Sequence, residues 1–274
     1  MKPPLAYFGA KVTLASRIVS LLPPHDHYVE PFAGSLAVLL AKRPAAHETV
    51  NDLDGDIVAF WRVLRDLPAD LERACALTPH ARAEHLAAYE PAEDEVEQAR
   101  RVWVRLTQGR AGTLRKTGWR FYVNPAGSSA SMPDYLAGYV GRVAPAARRL
   151  MRVSLECRPA LEVISSYGAE PSALLFCDPP YLGSTRTNGS CYQVEMPSEE
   201  EHRALADALS GCRAAVVLCG YHSPLYDSLY AGWHRHEITT ATGQAHEWSE
   251  RTEVIWSNRP FPVAQDALFS LEAS

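Results

Sequence analysis

The sequence predicts an α/β fold in which strands and helices alternate around an open sheet. Residues 28–30 and 48–51 have the composition of short strands, and each runs into a turn and a helix. Residues 173–177 form an apolar run that ends abruptly at Asp178. Ligands of open α/β sheets bind beyond the carboxyl ends of the strands. We therefore expect the functional site where these three strands end.

The first 65 residues predict alternating helices and strands. The first helix, with Leu14 and Ile18 on its apolar face, ends before Pro23 because proline cannot continue a helix. Either Asp54 or Asp56 caps the helix after the second strand. The predicted elements are a helix with apolar positions 14, 18, 21 and 22, a strand at 28–30, a helix at 36–42, a strand at 48–51 and a helix at 57–64.

Between residues 66 and 150 the pattern changes to helical periodicity with heavy charge. We therefore predict one domain formed by residues 1–65 and 151–274, with an inserted, mainly helical domain at 66–150. Near the end of the insert, residues 124–132 are rich in Pro, Gly and Ser and predict a linker. The apolar face of its main helix is predicted to consist of Val96, Ala99, Val102, Trp103 and Leu106.

After residue 150 strands and helices alternate again. Ser198 and Glu201 predict a capping box at the start of a helix. The polar loop at 183–197, which includes Arg186 and Tyr192, is suited to folding over a bound substrate. The remaining predicted elements are a strand at 153–156, a helix at 160–167, the strand at 173–177, a helix containing Leu205 and Leu209, a strand at 214–220, a helix at 225–230 and an antiparallel hairpin of 236–242 with 251–257.

Asp178-Pro179-Pro180-Tyr181 combines four residues with distinct physical uses. The Asp178 carboxylate accepts hydrogen bonds and donates none. Pro180 restricts Pro179 to the extended region, so the Pro179 carbonyl points in one direction. Two acceptors aimed at one point suit an exocyclic amino group, and the Tyr181 ring offers a face on which a planar base can stack. A plain turn after a strand is the alternative.

The turn after the first strand predicts a ligand site near a helix amino terminus. It contains one glycine, so it is not the dinucleotide-binding fingerprint, although a nucleoside-type ligand remains possible. Tyr7 and Lys11 flank another turn, which taken alone is either an ordinary loop or a clamp for a small ligand that bears a carboxylate. Asp52, at the tip of the second strand, has the spacing of an acid that binds ribose hydroxyls. The residues of the turn are Pro31, Phe32, Ala33, Gly34 and Ser35.

Charge is segregated along the chain, although the formal net charge is only −5. Residues 98–133 contain no Asp or Glu but seven Arg and Lys residues. Within them, residues 108–122 are rich in glycine, positive charge and aromatic rings, and predict a loop or hairpin that contacts DNA. The predicted DNA-binding residues are Arg110, Arg115, Lys116, Trp119 and Arg120.

Several classes of protein are disfavoured by composition. No apolar run approaches the roughly 20 residues of a membrane span, and the amino terminus does not resemble a secretion signal, so we expect a cytoplasmic protein. The six cysteines form no C-x-x-C pair, which indicates reduced thiols rather than zinc ligands or disulfides. His25-Asp26-His27 lacks a third ligand nearby, and no metal site is predicted.

Four blocks of the sequence, in this order, resemble the Dam-like (D12 class) adenine-N6 DNA methyltransferases. They are Phe-Gly-Ala-Lys at 8–11, Glu-Pro-Phe-Ala-Gly at 30–34, Asn-Asp-Leu-Asp at 51–54 and Asp-Pro-Pro-Tyr at 178–181, with a looser match at 217–221. The resemblance is weakest at 66–150, where this family has its variable target-recognition region. It implies a Rossmann-like S-adenosylmethionine-dependent methyltransferase fold with a mostly parallel seven-stranded sheet and an inserted, mainly helical target-recognition domain.

The resemblance also implies the substrate, an adenine flipped out of double-stranded DNA, and S-adenosylmethionine as cofactor. Asp178 and the Pro179 carbonyl would hold the adenine amine, Pro180 would fix that carbonyl, and Tyr181 would stack on the base. We expect direct transfer without a metal, by a monomer. Leu36 stands where the family usually has a second glycine. The implied cofactor contacts are Tyr7, Lys11, Pro31, Phe32, Ala33, Gly34, Ser35, Asp52 and Asp178.

Two other functions remain open from the sequence. The chain could methylate a different amino group, such as cytosine N4, an RNA base or a protein amide, although Asp at position 178 favours adenine by resemblance. It could also be a DNA-binding homologue that has lost catalysis, which the intact block at 178–181 disfavours. The DNA target, and whether a restriction nuclease accompanies the enzyme, are not encoded in any residue we can identify.

Overall fold

A seven-stranded sheet lies at the centre of the molecule. The computed structural model describes residues 1–122, 131–182, 195–244 and 247–262. The predicted linker at 124–132 and the predicted substrate loop at 183–197, with Arg186 and Tyr192, therefore lie mostly outside the described residues. The strands are β1 (His27–Glu30), β2 (His47–Asn51), β3 (Ser154–Glu156), β4 (Ala173–Cys177), β5 (Ala215–Tyr221), β6 (His234–Gln244) and β7 (Glu247–Ser257).

The strand order is β3-β2-β1-β4-β5-β7-β6. The pairs from β3 to β5 are all parallel, and β7 runs antiparallel to both of its neighbours. The predicted mostly parallel seven-stranded sheet and the predicted antiparallel hairpin are thus confirmed. From β1 the chain continues outward to β2 and β3 on one side of the sheet. From β4 it continues to β5 and the hairpin on the other side, so the strand order reverses between β1 and β4. This reversal opens a crevice at the carboxyl ends of the strands.

Helices cover both faces of the sheet and also form the insert. Asp54 caps α3 by accepting a hydrogen bond from Asp56 N at 3.0 Å, and the predicted capping box of Ser198 and Glu201 is present. The helices are α1 (Ala15–Ser20), α2 (Ala37–Ala41), α3 (Gly55–Asp66), α4 (Pro68–Ala76), α5 (Arg82–Ala87), α6 (Glu95–Gln108), α7 (Met132–Val140), α8 (Val143–Leu150), α9 (Ala160–Tyr167), α10 (Glu199–Ser210) and α11 (Pro224–Leu229). Among the described residues, no helix has both the length and the apolarity needed to cross a membrane.

The central strand β4 packs against hydrophobic cores on both sides. All five of its residues are buried, so it is a continuous apolar run rather than an alternating one. Leu174 and Phe176 belong to the core on one face, while Leu175 and Cys177 belong to the core on the other. Successive side chains of a strand point to opposite faces, which explains this division.

The inserted helices share the first of these cores with the sheet. The predicted apolar face of α6 is confirmed, since Ala99, Val102, Trp103 and Leu106 are all fully buried there. The indole of Trp103 also donates a hydrogen bond to the Pro4 carbonyl at 3.0 Å. The insert is therefore packed firmly on the sheet, and the domain boundaries at 66 and 150 stay a prediction.

Arg149 ties α8 to β2 through a buried ion cluster. Its guanidinium donates to both carboxylate oxygens of Glu48, at 2.7 Å for Oε1, and to the Leu39 carbonyl at 3.2 Å. Lys42 Nζ lies 2.7 Å from the same Glu48 Oε1. The Glu48 side chain is 2% exposed. Without Arg149, this buried carboxylate would lose its main hydrogen-bond donor.

We expect Arg149→Ala to lower the free energy of unfolding by about 3 kcal/mol, because it breaks a buried ion pair on one side only. Arg148→Ala, an exposed neighbour on the same helix, is the matched control and should change it by no more than about 0.5 kcal/mol. Urea denaturation of the three proteins measures both values. Equal small effects of the two substitutions would contradict a stabilising role for the cluster.

Candidate active site

The candidate site is a cavity of about 330 Å³ in the crevice where the strand order reverses. Loops from the carboxyl ends of β1, β2 and β4 form its walls, together with the amino-terminal loop and α10. The structure brings together all nine residues predicted to contact a cofactor, and each of them lines this cavity. They are Tyr7, Lys11, Pro31, Phe32, Ala33, Gly34, Ser35, Asp52 and Asp178.

The turn after β1 is held in one shape by neighbouring side chains. Gly34 has a φ of +46°, which a residue with a side chain rarely adopts. Its carbonyl accepts a hydrogen bond from Trp61 Nε1 at 2.9 Å. A Cβ at this position would lie 3.0 Å from Tyr7 Cε1. The Tyr7 ring can therefore pack over the turn only because position 34 is glycine.

Leu36 also has a positive φ, +53°, immediately before α2. The left-handed conformation costs a residue with a side chain roughly 1–2 kcal/mol. The side chain is fully buried in the core, which offsets that cost. The backbone here thus has the conformation that favours glycine, the residue usual in the family, and the predicted helix at 36–42 begins one residue later than expected.

Asp52 connects the tip of β2 to the turn after β1. Its Oδ2 accepts a hydrogen bond from Gly34 N at 2.8 Å, and its Oδ1 accepts one from Asp54 N at 3.0 Å. Burial raises the pKa of Asp52 to about 6 despite these bonds. A carboxylate that lines the cavity with two oxygens fixed in this way can accept hydroxyl hydrogen bonds from a ligand.

Glu30, at the end of β1, contributes a buried carboxyl to the cavity wall. Its Oε1 accepts hydrogen bonds from the Tyr28 hydroxyl at 2.6 Å and from Leu39 N at 2.9 Å. Burial raises the pKa of Glu30 to about 8, and the Asp178 charge acts in the same direction. Burial therefore favours the neutral form of this carboxyl.

Asp178 lies in a cluster of charged and hydroxyl groups beside the cavity. Lys11 Nζ is 2.9 Å from Asp178 Oδ1 and 3.5 Å from Glu253 Oε1. The Tyr181 hydroxyl donates to Asp178 Oδ1 at 3.1 Å and also to Glu253 Oε1. The Lys11 ammonium and the Tyr181 hydroxyl thus each contact both the Asp178 and the Glu253 carboxylates. Asp178 is held in a fixed position while its side chain remains 20% exposed.

The four residues of the 178–181 block are placed differently. Asp178 and Pro180 line the cavity, whereas Pro179 and Tyr181 are not among its lining residues. Tyr181 is only 8% exposed, and its ring packs edge-on against Tyr221 with 4.6 Å between centroids. Burial and the carboxylate of Asp178 raise the pKa of Tyr181 well above its usual value, so its hydroxyl remains a donor. Stacking of Tyr181 on a base stays a prediction.

Three atoms of this cluster could in principle ligate a metal. Among the described residues, Asp178, Cys219 and Glu253 each place one ligand atom within 4.8 Å of the others. The Lys11 ammonium already lies against both carboxylates. A divalent cation would have to displace it, so these residues do not form a preformed metal site.

The predicted basic loop folds back on itself after α6. Arg110 N donates to the Gly118 carbonyl at 3.0 Å, and Arg120 N donates to the Gln108 carbonyl at 2.7 Å. Gly109 and Trp119 form an isolated antiparallel bridge between the two sides. The prediction of a loop or hairpin at 108–122 is therefore confirmed in its hairpin form.

This hairpin contacts the amino-terminal loop of the cavity. Phe8 N donates a hydrogen bond to the Gly112 carbonyl at 2.7 Å, and Gly112 has a φ of +63°. Leu114, two residues later, is buried in the core. The hairpin is thus fixed beside Tyr7 and Lys11.

The five predicted DNA-binding residues fall into two groups. Arg115 and Lys116 are exposed in the middle of the hairpin. Arg110, Trp119 and Arg120 make contacts that shape it. Arg110 Nε donates to the Trp119 carbonyl at 3.3 Å, the Trp119 ring stacks on a histidine ring, with 4.4 Å between centroids, and Arg120 donates to a tyrosine hydroxyl at 2.5 Å.

Glu253 was not predicted to be part of the site. Glu253 is buried on β7, far from the recognised blocks in sequence, and it contacts both Lys11 and Tyr181. A weak signal was present, because Glu253 lies two residues before the apolar Ile255 in a predicted strand, which places an acid on the same face as an apolar residue. Glu253 does not itself line the cavity; residues that do, and that were not predicted, include Leu53, Pro159, Leu161 and Met196.

Comparisons with known proteins agree with this geometry. A sequence model described as the D12 class N6 adenine-specific DNA methyltransferase matches residues 7–102 and 143–243. The retron Ec67 DNA adenine methylase of Escherichia coli is 24% identical over 263 residues, which cover 92% of this chain and 89% of that protein.

Solved structures with this overall shape are distant. A precorrin 8w decarboxylase from Methanobacterium thermoautotrophicum has a TM-score of 0.42 at 8% identity, over 96% of each chain. A putative methyltransferase from Streptococcus mutans, in complex with SAH, has a TM-score of 0.34 at 9% identity, over 90% of this chain and 98% of that one. At these scores the likenesses add nothing to the fold derived from the strand order.

Proposed function

The chain belongs to the D12 class N6 adenine-specific DNA methyltransferase family, and we propose that it methylates an adenine flipped out of double-stranded DNA and held by Asp178. The family and the related methylase support DNA adenine methylation with S-adenosylmethionine as cofactor. The structure supports the finer assignment of roles to residues. A double-stranded substrate and action as a monomer are part of this proposal.

One observation carries the assignment. A single cavity joins Asp178, after β4, to the turn after β1 and to Asp52, after β2. A group-transfer enzyme needs its two reactants in adjacent positions, and alignment of bound reactants can supply about 7 kcal/mol or more of the barrier reduction. The cavity provides such adjacent positions, with an acceptor for an amine at one end and an acceptor for hydroxyls at the other.

The residues of the cavity fit S-adenosylmethionine. We assign Asp52 to the ribose hydroxyls, Tyr7 and the turn at 31–35 to the body of the cofactor, and Lys11 to its carboxylate. Trp61, which donates to the Gly34 carbonyl, and Asp52, which accepts from Gly34 N, hold that turn in place. When bound, the cofactor supplies a sulfonium methyl group, whose bond to sulfur breaks with its electron pair remaining on sulfur.

We assign the adenine amine to Asp178, which lines the cavity, and to the carbonyl of its sequence neighbour Pro179, the second acceptor that the family resemblance implies. The N6 lone pair of adenine is delocalised into the ring, so the amine is a poor nucleophile. Acceptors placed on its two hydrogens favour a more tetrahedral nitrogen, whose lone pair forms the new bond to the methyl carbon. After transfer N6 carries one proton too many, and that proton leaves along the hydrogen bond to the Asp178 carboxylate. No strong base is required.

The hairpin at 108–122 is the proposed DNA contact surface. Its hydrogen bond from Phe8 to Gly112 places it next to the cavity, where the duplex must lie if a base enters the site. Residues 103–142 are left unmatched by the family model, as expected of a variable target-recognition segment. We propose that Arg115 and Lys116 contact phosphates, while Arg110, Trp119 and Arg120 shape the hairpin.

We expect Asp178→Asn to slow single-turnover methylation of adenine in duplex DNA by about 10²–10³-fold, because one positioned acceptor is lost. Tritiated methyl transfer, with analysis of the product nucleosides, measures the rate and identifies N6-methyladenine. The control Asp207→Asn changes an exposed acid on α10 and should be as active as the unmodified protein. Near-normal turnover of a folded Asp178→Asn variant would overturn the assignment.

We expect cofactor affinity to depend on pH through Asp52. The folded pKa of about 6 lies above the usual value of 3.8, so the carboxylate is charged only as pH rises above about 6. The affinity for S-adenosylhomocysteine, measured by calorimetry, should be about tenfold weaker at pH 5 than at pH 8. Asp52→Asn should bind weakly at both pH values, whereas Asp70→Asn, an exposed acid, should keep the dependence. A wild-type affinity that is equal at the two pH values would argue against ribose binding by Asp52.

We expect the double variant Arg115→Ala/Lys116→Ala to bind DNA more weakly and with less salt dependence. Each lost phosphate contact should reduce the slope of log K against log salt by about 0.9. Fluorescence anisotropy at several salt concentrations measures this slope, and Arg148→Ala is the control for an exposed cation outside the hairpin. An unchanged slope would place the DNA elsewhere.

A further inference from the structure

Glu253 is a buried carboxylate that the reaction described above does not use. It lies on β7 and is 6% exposed. It is not among the residues that line the cavity, so it does not contact a ligand there. Its contacts are instead with two residues of the site, Lys11 at 3.5 Å and the Tyr181 hydroxyl.

The surroundings of Glu253 show which groups share its charge. Tyr221 on β5 and Ile238 on β6 lie directly opposite it in the sheet. Cys219 on β5 and Asp178 after β4 place ligand atoms within 4.8 Å of its carboxylate. Lys11 is the cation in contact with both carboxylates. Any change in the charge of Glu253 is therefore felt by Lys11 and Asp178.

We propose that Glu253 is a positioning residue for methyl transfer: by sharing Lys11 and the Tyr181 hydroxyl with Asp178, it keeps negative charge on Asp178 available to the adenine amine. This inference rests on the proposed function. With Glu253 neutral, Asp178 would be the one charged carboxylate of this cluster beside Lys11, and the ammonium would cancel its charge. With Glu253 ionised, the three groups together carry one net negative charge.

That net charge matters because of where positive charge goes in the reaction. As the bond from carbon to sulfur breaks and the bond from carbon to N6 forms, the positive charge of the sulfonium passes to N6. It remains there until a proton leaves. An anionic cluster beside N6 stabilises this developing charge, and a fixed, partly buried cluster does so without reorganising. A neutral cluster would not.

Glu253 also determines the orientation of Tyr181. The Tyr181 hydroxyl donates toward both carboxylates, and the ring packs on Tyr221 from the neighbouring strand. Lys11 Nζ lies 4.9 Å from the Tyr181 ring centroid. Loss of the carboxylate on β7 would leave the Asp178 carboxylate to accept the hydrogen bond of this hydroxyl. Glu253→Gln keeps an acceptor oxygen for Tyr181, so it tests charge separately from this orientation.

The test compares Glu253→Gln and Glu253→Asp in the full-length protein. We expect Glu253→Gln to slow single-turnover methylation about tenfold or more at pH 8, since the cluster loses its net charge. Its affinity for S-adenosylhomocysteine and its melting temperature should remain close to those of the unmodified protein. Glu253→Asp, which keeps the charge on a shorter side chain, should recover part of the rate. Glu237→Gln, which removes an exposed charge from the same hairpin, is the matched control.

The pH profile separates positioning from a purely structural role. Burial raises the pKa of Glu253 above its usual value, so the wild-type rate should rise as pH increases through that pKa and the carboxylate becomes charged. The Glu253→Gln variant keeps Asp178, Lys11 and Tyr181. Its methylation rate should lack this rise and reach its plateau at lower pH than the wild-type rate. A Glu253→Gln variant with the wild-type rate and profile would overturn the inference. Absence of adenine methylation by the unmodified protein would instead overturn the proposed function.

Discussion

The pairing of β1 with β4 is the interaction on which the site depends. His27, Tyr28 and Val29 pair in parallel with Ala173, Leu174 and Leu175, although the two strands are separated by most of the chain. Because the strands are parallel and in register, both end at the same edge of the sheet. The turn after β1 and the 178–181 block are thereby brought to one crevice. The position of Asp178 beside the turn after β1 follows from this ladder of backbone hydrogen bonds.

Two buried clusters of ion pairs have different roles in this protein. Glu48, with Lys42 and Arg149, is closed on all sides, and its two cations exceed its one negative charge. This cluster joins an inserted helix to the sheet. The cluster of Lys11, Asp178 and Glu253 instead has one cation and two carboxylates. Asp178 is the carboxylate of this cluster that lines the cavity. An excess of cations suits a structural tie, and an excess of carboxylates suits a site in which positive charge develops.

The contacts of the amino-terminal loop suggest why cofactor and DNA are handled by one compact body. Phe8 bonds to the basic hairpin, while Tyr7 packs on the turn after β1 and Lys11 binds Asp178. A short loop therefore contacts the basic hairpin, the turn after β1 and Asp178. A shift of the hairpin on DNA would be transmitted to Tyr7 and Lys11 through a hydrogen bond of 2.7 Å. The shared hydrophobic core limits such shifts, because Leu114 and Trp103 are buried in it.

Local sequence determined much of this protein. Apolar runs, proline stops and the Ser198 cap predicted the strands and helices to within a few residues, because these signals act over one or two turns of chain. The side chains at 31–35, Asp52 and Asp178 were recognisable because loops at strand ends carry chemistry. Only the tertiary structure decided that Glu253 joins Lys11 and Tyr181, that Phe8 bonds to Gly112, and that Leu36 adopts a left-handed conformation. Each of these depends on how distant segments pack, and no periodicity or spacing along the chain records that packing.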